Sequence, residues 1–194
     1  MLKFNKIIKI IINLQLIIIS TFIPVYLTIP ITNKNPISLE FPITWQVPVI
    51  IITTLIFSSK IVIKAFSLYL IMGIFFIPVF HHGGSLGYLL TANFGYLLGI
   101  YPLIIIIDKL NQNNRKIYYY DLLKYGILGI SSMHIIGIIY SCMQTILYRK
   151  SEILLYSVAK YSLGNFGFHL LMLTPIILMI KLINNNNYRK NVKN

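Results

Sequence analysis

Thr44 and Gln46 flank Trp45, the chain's single tryptophan, in the stretch Phe41-Pro-Ile-Thr-Trp-Gln-Val-Pro48. A hydroxyl and an amide can each donate and accept hydrogen bonds. An interfacial anchor explains Trp45 but leaves its two polar neighbours without a role. Asn93 and Tyr96 lie inside a later apolar run, and Asn165 and His169 lie near the beginning of the last one. An amide in such a run needs a hydrogen-bond partner, either on a neighbouring helix or on a ligand. Both readings stand open for Asn93, Asn165 and His169, whereas His134 and Gln144 fit cross-links between helices. His81 and His82 precede Gly83, Gly84 and Gly87, and read as two interfacial imidazoles at a loop end. The glycines, Gly84 among them, permit positive φ and close approach of backbone to a ligand or to another helix.

Other chemistry is excluded. The four acids, Glu40, Asp108, Asp121 and Glu152, fall at or outside the ends of the apolar runs. Proton-driven pumps place a carboxylate at membrane depth, and most hydrolase schemes need one there too. No GxxxxGK[ST] phosphate loop is present. A transporter built on this chain therefore needs partners or does not pump, and no enzyme activity is expected. Cys142 is the only cysteine, so neither a disulfide within the chain nor a CxxC site can form. With no acid near the His81–His82 pair, no metal site and no cofactor are expected.

The elements that must hold these residues are membrane helices. Hydrophobic residues make up 57% of the 194 residues and charged ones 11%, with mean hydropathy +0.77. That is too little charge for a water-facing surface. Six spans of about 20 residues are expected: Ile10–Ile29, Phe41–Ser59, Ala65–Phe80, Gly87–Ile107, Tyr125–Tyr148 and Gly164–Ile180. The first apolar run is too long for a signal segment and reads as a retained helix. With a cytoplasmic N-terminus, only Lys34, Arg149, Lys150 and Lys160 among the 17 cations fall outside, which satisfies the positive-inside rule. The expected fold is an all-α bundle of six transmembrane helices with both termini cytoplasmic. A single membrane domain spans 1–183, and 184–194 is expected to be a disordered tail. The net charge of +13 then serves topology and lipid headgroups rather than nucleic acid. Gly95 and Gly99 form a GxxxG pair and read as a close helix contact.

Phe41-Pro-Ile-Thr-Trp-Gln, Leu68-Tyr-Leu-Ile-Met-Gly, Ile77-Pro-Val-Phe, Gly83-Gly and Gly95-Tyr-Leu-Leu-Gly99 occur in this order. The set resembles the BioY family, the biotin-binding S components of energy-coupling factor transporters, from about Ile29 to Gly99. The resemblance implies a six-helix subunit of the bacterial cell membrane that binds biotin near its outer face. It also implies a transmembrane coupling subunit and two ATPase subunits as partners, which would supply the missing energy source. Gln46 and Asn93 from its motifs, with Asn165 at the family's Asp position, are expected to converge on the ureido ring, and with Thr44, Gly84, Tyr96 and His169 they make up the expected substrate site. The C-terminal part departs from the family pattern. Leu163-Gly-Asn165 replaces Pro-Gly-Asp, and Phe168 occupies the lysine position. His169, Lys160 or water is left to meet the biotin carboxylate. The first span also lacks the alanine pair used against the coupling subunit, with Ser20 the only small residue near its middle. A biotin precursor as ligand, or a membrane assembly factor with a decayed pocket, are the alternatives.

Overall fold

The computed structural model of the chain describes residues 2–29, 37–81, 83–112, 118–149 and 151–179. The expected tail at 184–194 lies outside the described residues, as does His82.

Helix α1, Leu2–Phe22, contains no glycine or proline. It stops before Pro24, because the residue preceding a proline is driven out of the helical region. The chain then forms strand β1, Pro24–Ile29, which pairs antiparallel with strand β2, Ile37–Thr44. This corrects the all-α expectation and shortens the first two spans, Ile10–Ile29 and Phe41–Ser59. Val25, Tyr26, Thr28 and Ile29 are β-branched or aromatic residues that favour strands, yet they are apolar enough to extend a hydropathy run. The register slips between Pro24 and Tyr26, which pair with Thr44 and Glu40 respectively. Pro42 sits in the irregular part of β2, where a missing N–H is tolerated.

Helix α2, Gln46–Ile56, carries Pro48 in its first turn, where a helix tolerates it. Helix α3, Ser59–Phe75, begins within a turn of α2 and starts six residues before the expected Ala65. Its Ser59 donates from backbone N–H (3.0 Å) and hydroxyl (2.6 Å) to the two carboxylate oxygens of Asp108. A 3-10 turn, Leu86–Leu90, leads into helix α4, Ala92–Leu98, and helix α5, Ile100–Gln112. Helix α6 is the longest, Tyr119–Tyr148. Helix α7, Ser151–Ser157, a π-helical turn, Val158–Leu163, and helix α8, Gly164–Leu171, follow, with 173–179 helical again.

Two of these breaks share one cause. Pro102 has no N–H to offer the Leu98 carbonyl, and Pro175 none for Leu171. The helix is interrupted three residues before each proline, at Gly99 and at Met172. Among the described residues, four stretches are long and apolar enough to cross a membrane: Asn5–Phe22, Ala92–Leu110, Tyr119–Tyr148 and Leu154–Met179, with Gln46–Ile56 shorter. α6 packs against α4, α5, α7 and α8, while α1 packs against α2 and α3. Gly95 and Gly99 serve the α4–α6 crossing. A Cβ at Gly95 would enter the Tyr140 side chain, and one at Gly99 would collide with the Met133 backbone.

Candidate functional site

β2, the start of α2, α3, α4, α6 and α8 converge on one cavity of about 130 Å³. Thr44, Gln46, Asn93, Tyr96, Asn165 and His169 all line it, although they are drawn from three distant segments of sequence. Gly84 does not. It lines a separate cleft with Gly73 and Pro78, and a Cβ there would strike the Gly73 carbonyl oxygen and Pro78 Cα. Its lack of a side chain serves backbone packing between the end of α3 and the following loop. Gly83 alone among the described glycines has positive φ, at 104°, where its N–H and carbonyl close a bridge with Phe80.

Gln46 is positioned by the turn from strand to helix. The Trp45 N–H donates to the Ile23 carbonyl at 3.0 Å, which ties the start of α2 to the end of α1. The Gln46 N–H then reaches Thr44 Oγ1 at 3.5 Å. Gln46 is buried beside the Tyr69 hydroxyl, with which its side chain interacts, but its Nε2 makes no well-aligned hydrogen bond. Asn165 follows the π-helical turn, which inserts an extra residue into the helical repeat and so re-aims the residues after it. Its Oδ1 is likewise buried without a partner. The cavity therefore holds one unmet donor and one unmet acceptor, both of which would be costly in a closed apolar wall.

The other polar groups are already engaged. Asn93 Nδ2 donates to the Tyr88 hydroxyl oxygen at 2.6 Å, which leaves the phenolic proton of Tyr88 for another acceptor. The Tyr96 hydroxyl meets Ser162 Oγ at 2.7 Å, and Ser162 lies 3.4 Å from His134 Nδ1. His134 Nε2 and His169 Nδ1 are 3.3 Å apart, so a single proton serves the contact between them. This buried chain from Tyr96 to His169 cross-links α4, α6 and α8. His134 thus plays the cross-linking role expected of it, and it also lines the cavity.

Sequence reasoning missed Tyr69, Tyr88, Tyr161 and Thr21 in the wall. Tyr69 lies within the Leu68-Tyr-Leu-Ile-Met-Gly segment, and Tyr88 stands five residues before Asn93, so both carried a weak signal. With 14 tyrosines in the chain, residue type alone could not single them out. No group of three or more His, Cys, Asp or Glu among the described residues could hold a metal ion. The wall offers neutral hydrogen bonding and aromatic surface, the chemistry of selective binding.

The β-hairpin borders the cavity through Pro42, Ile43 and Thr44 of β2. Val25 of β1 and Ile43 of β2 are buried with Met172 in a cluster of their own, into which Phe41, Trp45 and Phe168 pack. The Phe41 and Phe168 ring centroids are 4.6 Å apart at 36°. The residue at the expected lysine position is thus an apolar fastener between hairpin and α8.

A family model described as the BioY family matches residues 1–182. No curated protein matches the chain in sequence. Among solved structures, the chain is similar to the crystal structure of the S-component for biotin from an ECF-type ABC transporter. The TM-score is 0.64 at 14% identity, covering 94% of this chain and 92% of that one.

Proposed function

We propose, from the premise that this chain belongs to the BioY family, that it is a membrane subunit that captures biotin for an energy-coupled importer. The observation that carries this reading is the pair of unmet amide atoms. Gln46 Nε2 can donate to a ureido carbonyl, and Asn165 Oδ1 can accept from a ureido N–H. Tyr88 and Asn93 add a further polar pair, and Tyr69, Tyr96 and Tyr161 supply aromatic surface for a thioether ring and aliphatic tail. The solved structure that shares the fold is itself a biotin S-component, which supports the ligand class. The seven-residue site expected from sequence is reduced to Thr44, Gln46, Asn93, Tyr96, Asn165 and His169.

The chain performs binding without chemistry. Uphill transport comes from a coupling subunit and two ATPase subunits, because the sequence contains no phosphate loop and Asp108 and Asp121 stand near the ends of their spans, Asp108 bound to Ser59. Six membrane helices with both termini cytoplasmic and the hairpin at the outer face of a bacterial cell membrane complete the reading, 1–183 forming one domain. The distribution of cations favours this orientation. Isothermal titration of the purified protein with biotin tests the assignment. Saturable binding that weakens in both Gln46→Ala and Asn165→Ala is expected, and absence of binding in the unaltered chain would refute it.

A further inference from the structure

The charge of the cavity wall carries an inference that rests on the capture reading above. Among the described residues, neither lysine nor arginine nor any acid lines the cavity. The position one turn after Asn165 holds Phe168, whose ring is packed on Phe41. Lys160, the cation nearest to this segment in sequence, does not line the cavity. Its Nζ donates to the Tyr156 hydroxyl at 3.0 Å and stands over the rings of Tyr156 and Tyr161, 5.3 and 5.5 Å from their centroids. Of the three imidazoles in the wall, His134 and His169 face one another at 3.3 Å, so a charge on one opposes a charge on the other. His81 reaches the wall from the loop at the exposed rim.

We propose that this cavity recognises its ligand through uncharged groups alone, and that a charged tail on the ligand stays outside and adds nothing to affinity. A carboxylate drawn inside would exchange its hydration for neutral donors with no opposing charge, which is unfavourable. A ring with neutral donors and acceptors meets the unmet amide atoms without that cost. The ligand class is thus a neutral heterocycle of the cyclic-urea type, whatever its tail carries.

The discriminating experiment is calorimetry on the full chain with biotin and with its uncharged primary amide, at about pH 8, above the usual imidazole range. The two dissociation constants should agree within about threefold, or the amide should bind more tightly. Lys160→Ala should leave both unchanged. A preference for biotin of more than about threefold overturns the proposal while leaving biotin capture intact. So does selective loss of biotin binding, but not of amide binding, in Lys160→Ala. If neither compound binds the unaltered chain, the capture reading fails and this inference fails with it.

Discussion

Replacing Asn165 by alanine should move stability and affinity in opposite directions. In the unliganded protein its Oδ1 is buried with no donor, a condition that costs about 1–3 kcal/mol. The side chain faces an existing cavity, so truncation opens no new void in packed core and incurs little of the usual cavity penalty. Alanine also has the higher helix propensity within α8, by up to about 0.7 kcal/mol. A gain of about 1 kcal/mol corresponds to roughly 2–4 °C in melting temperature for a chain of this size. Bound biotin, by contrast, loses the acceptor for a ureido N–H. Leaving that donor unpaired weakens binding by about 1–3 kcal/mol, roughly 5- to 150-fold. The assay is a pair of measurements on one detergent-purified sample, apparent melting temperature without ligand and titration with biotin. If Asn165→Ala melts lower and binds biotin unchanged, Oδ1 serves the fold rather than the ligand, and the placement of the site is wrong.

Phe41→Ala removes the ring contact between hairpin and α8, worth about 0.5–1.5 kcal/mol beyond buried area; stopped-flow measurement should find biotin dissociating several-fold faster. Gly99→Ala drives a methyl group into the Met133 backbone, so a loss of about 1–3 kcal/mol should appear as a lower melting temperature. After Cys142→Ser removes the native thiol, an impermeant maleimide added outside cells should label Ser85→Cys but not Asn113→Cys, and the reverse pattern would invert the proposed topology. Reconstituted alone in proteoliposomes, the chain should bind biotin but show no ATP- or ion-driven accumulation; robust uphill uptake would refute the need for partners.

The parts of the site that were legible in the sequence are those where polarity is an anomaly. An amide in an apolar run needs a partner whatever the fold, so Gln46, Asn93 and Asn165 stand out by residue type and position alone. Glycine gives no such signal, because it serves a ligand, a turn or another backbone equally well. Only the position of the Gly73 carbonyl assigns Gly84 to packing. The hairpin was hidden for a different reason. Hydropathy measures transfer from water and does not distinguish a strand from a helix, so Pro24 to Ile29 merged with the first span. Its prolines Pro24 and Pro42 were the available signal. Pro102 and Pro175 likewise marked the interruptions at Gly99 and Met172, through the N–H groups they do not supply; the Leu171 carbonyl accepts instead from the Thr174 hydroxyl at 2.7 Å.

The hairpin is packed apart from the main core. The main core runs through α1 to α6 and the 173–179 helical segment and includes Phe66, Tyr69, Ile104 and Ile130, all fully buried. The hairpin is not part of that core. It is held by the separate cluster of Val25, Ile43 and Met172 with its three aromatic neighbours and by the Trp45 to Ile23 backbone bond. The α4–α6 crossing, by contrast, is closely packed at Gly95 and Gly99. Gln46 lies one residue beyond the Trp45 N–H that bonds the Ile23 carbonyl, whereas Asn165 belongs to α8. A ligand bridging the two amides would join the start of α2 to α8, beside the contact of Phe41 with Phe168. On the proposed reading, Phe41 and Phe168 govern how long biotin stays, and Gln46 and Asn165 whether it binds. Dissociation rate in Phe41→Ala and equilibrium affinity in Asn165→Ala should accordingly respond to different changes.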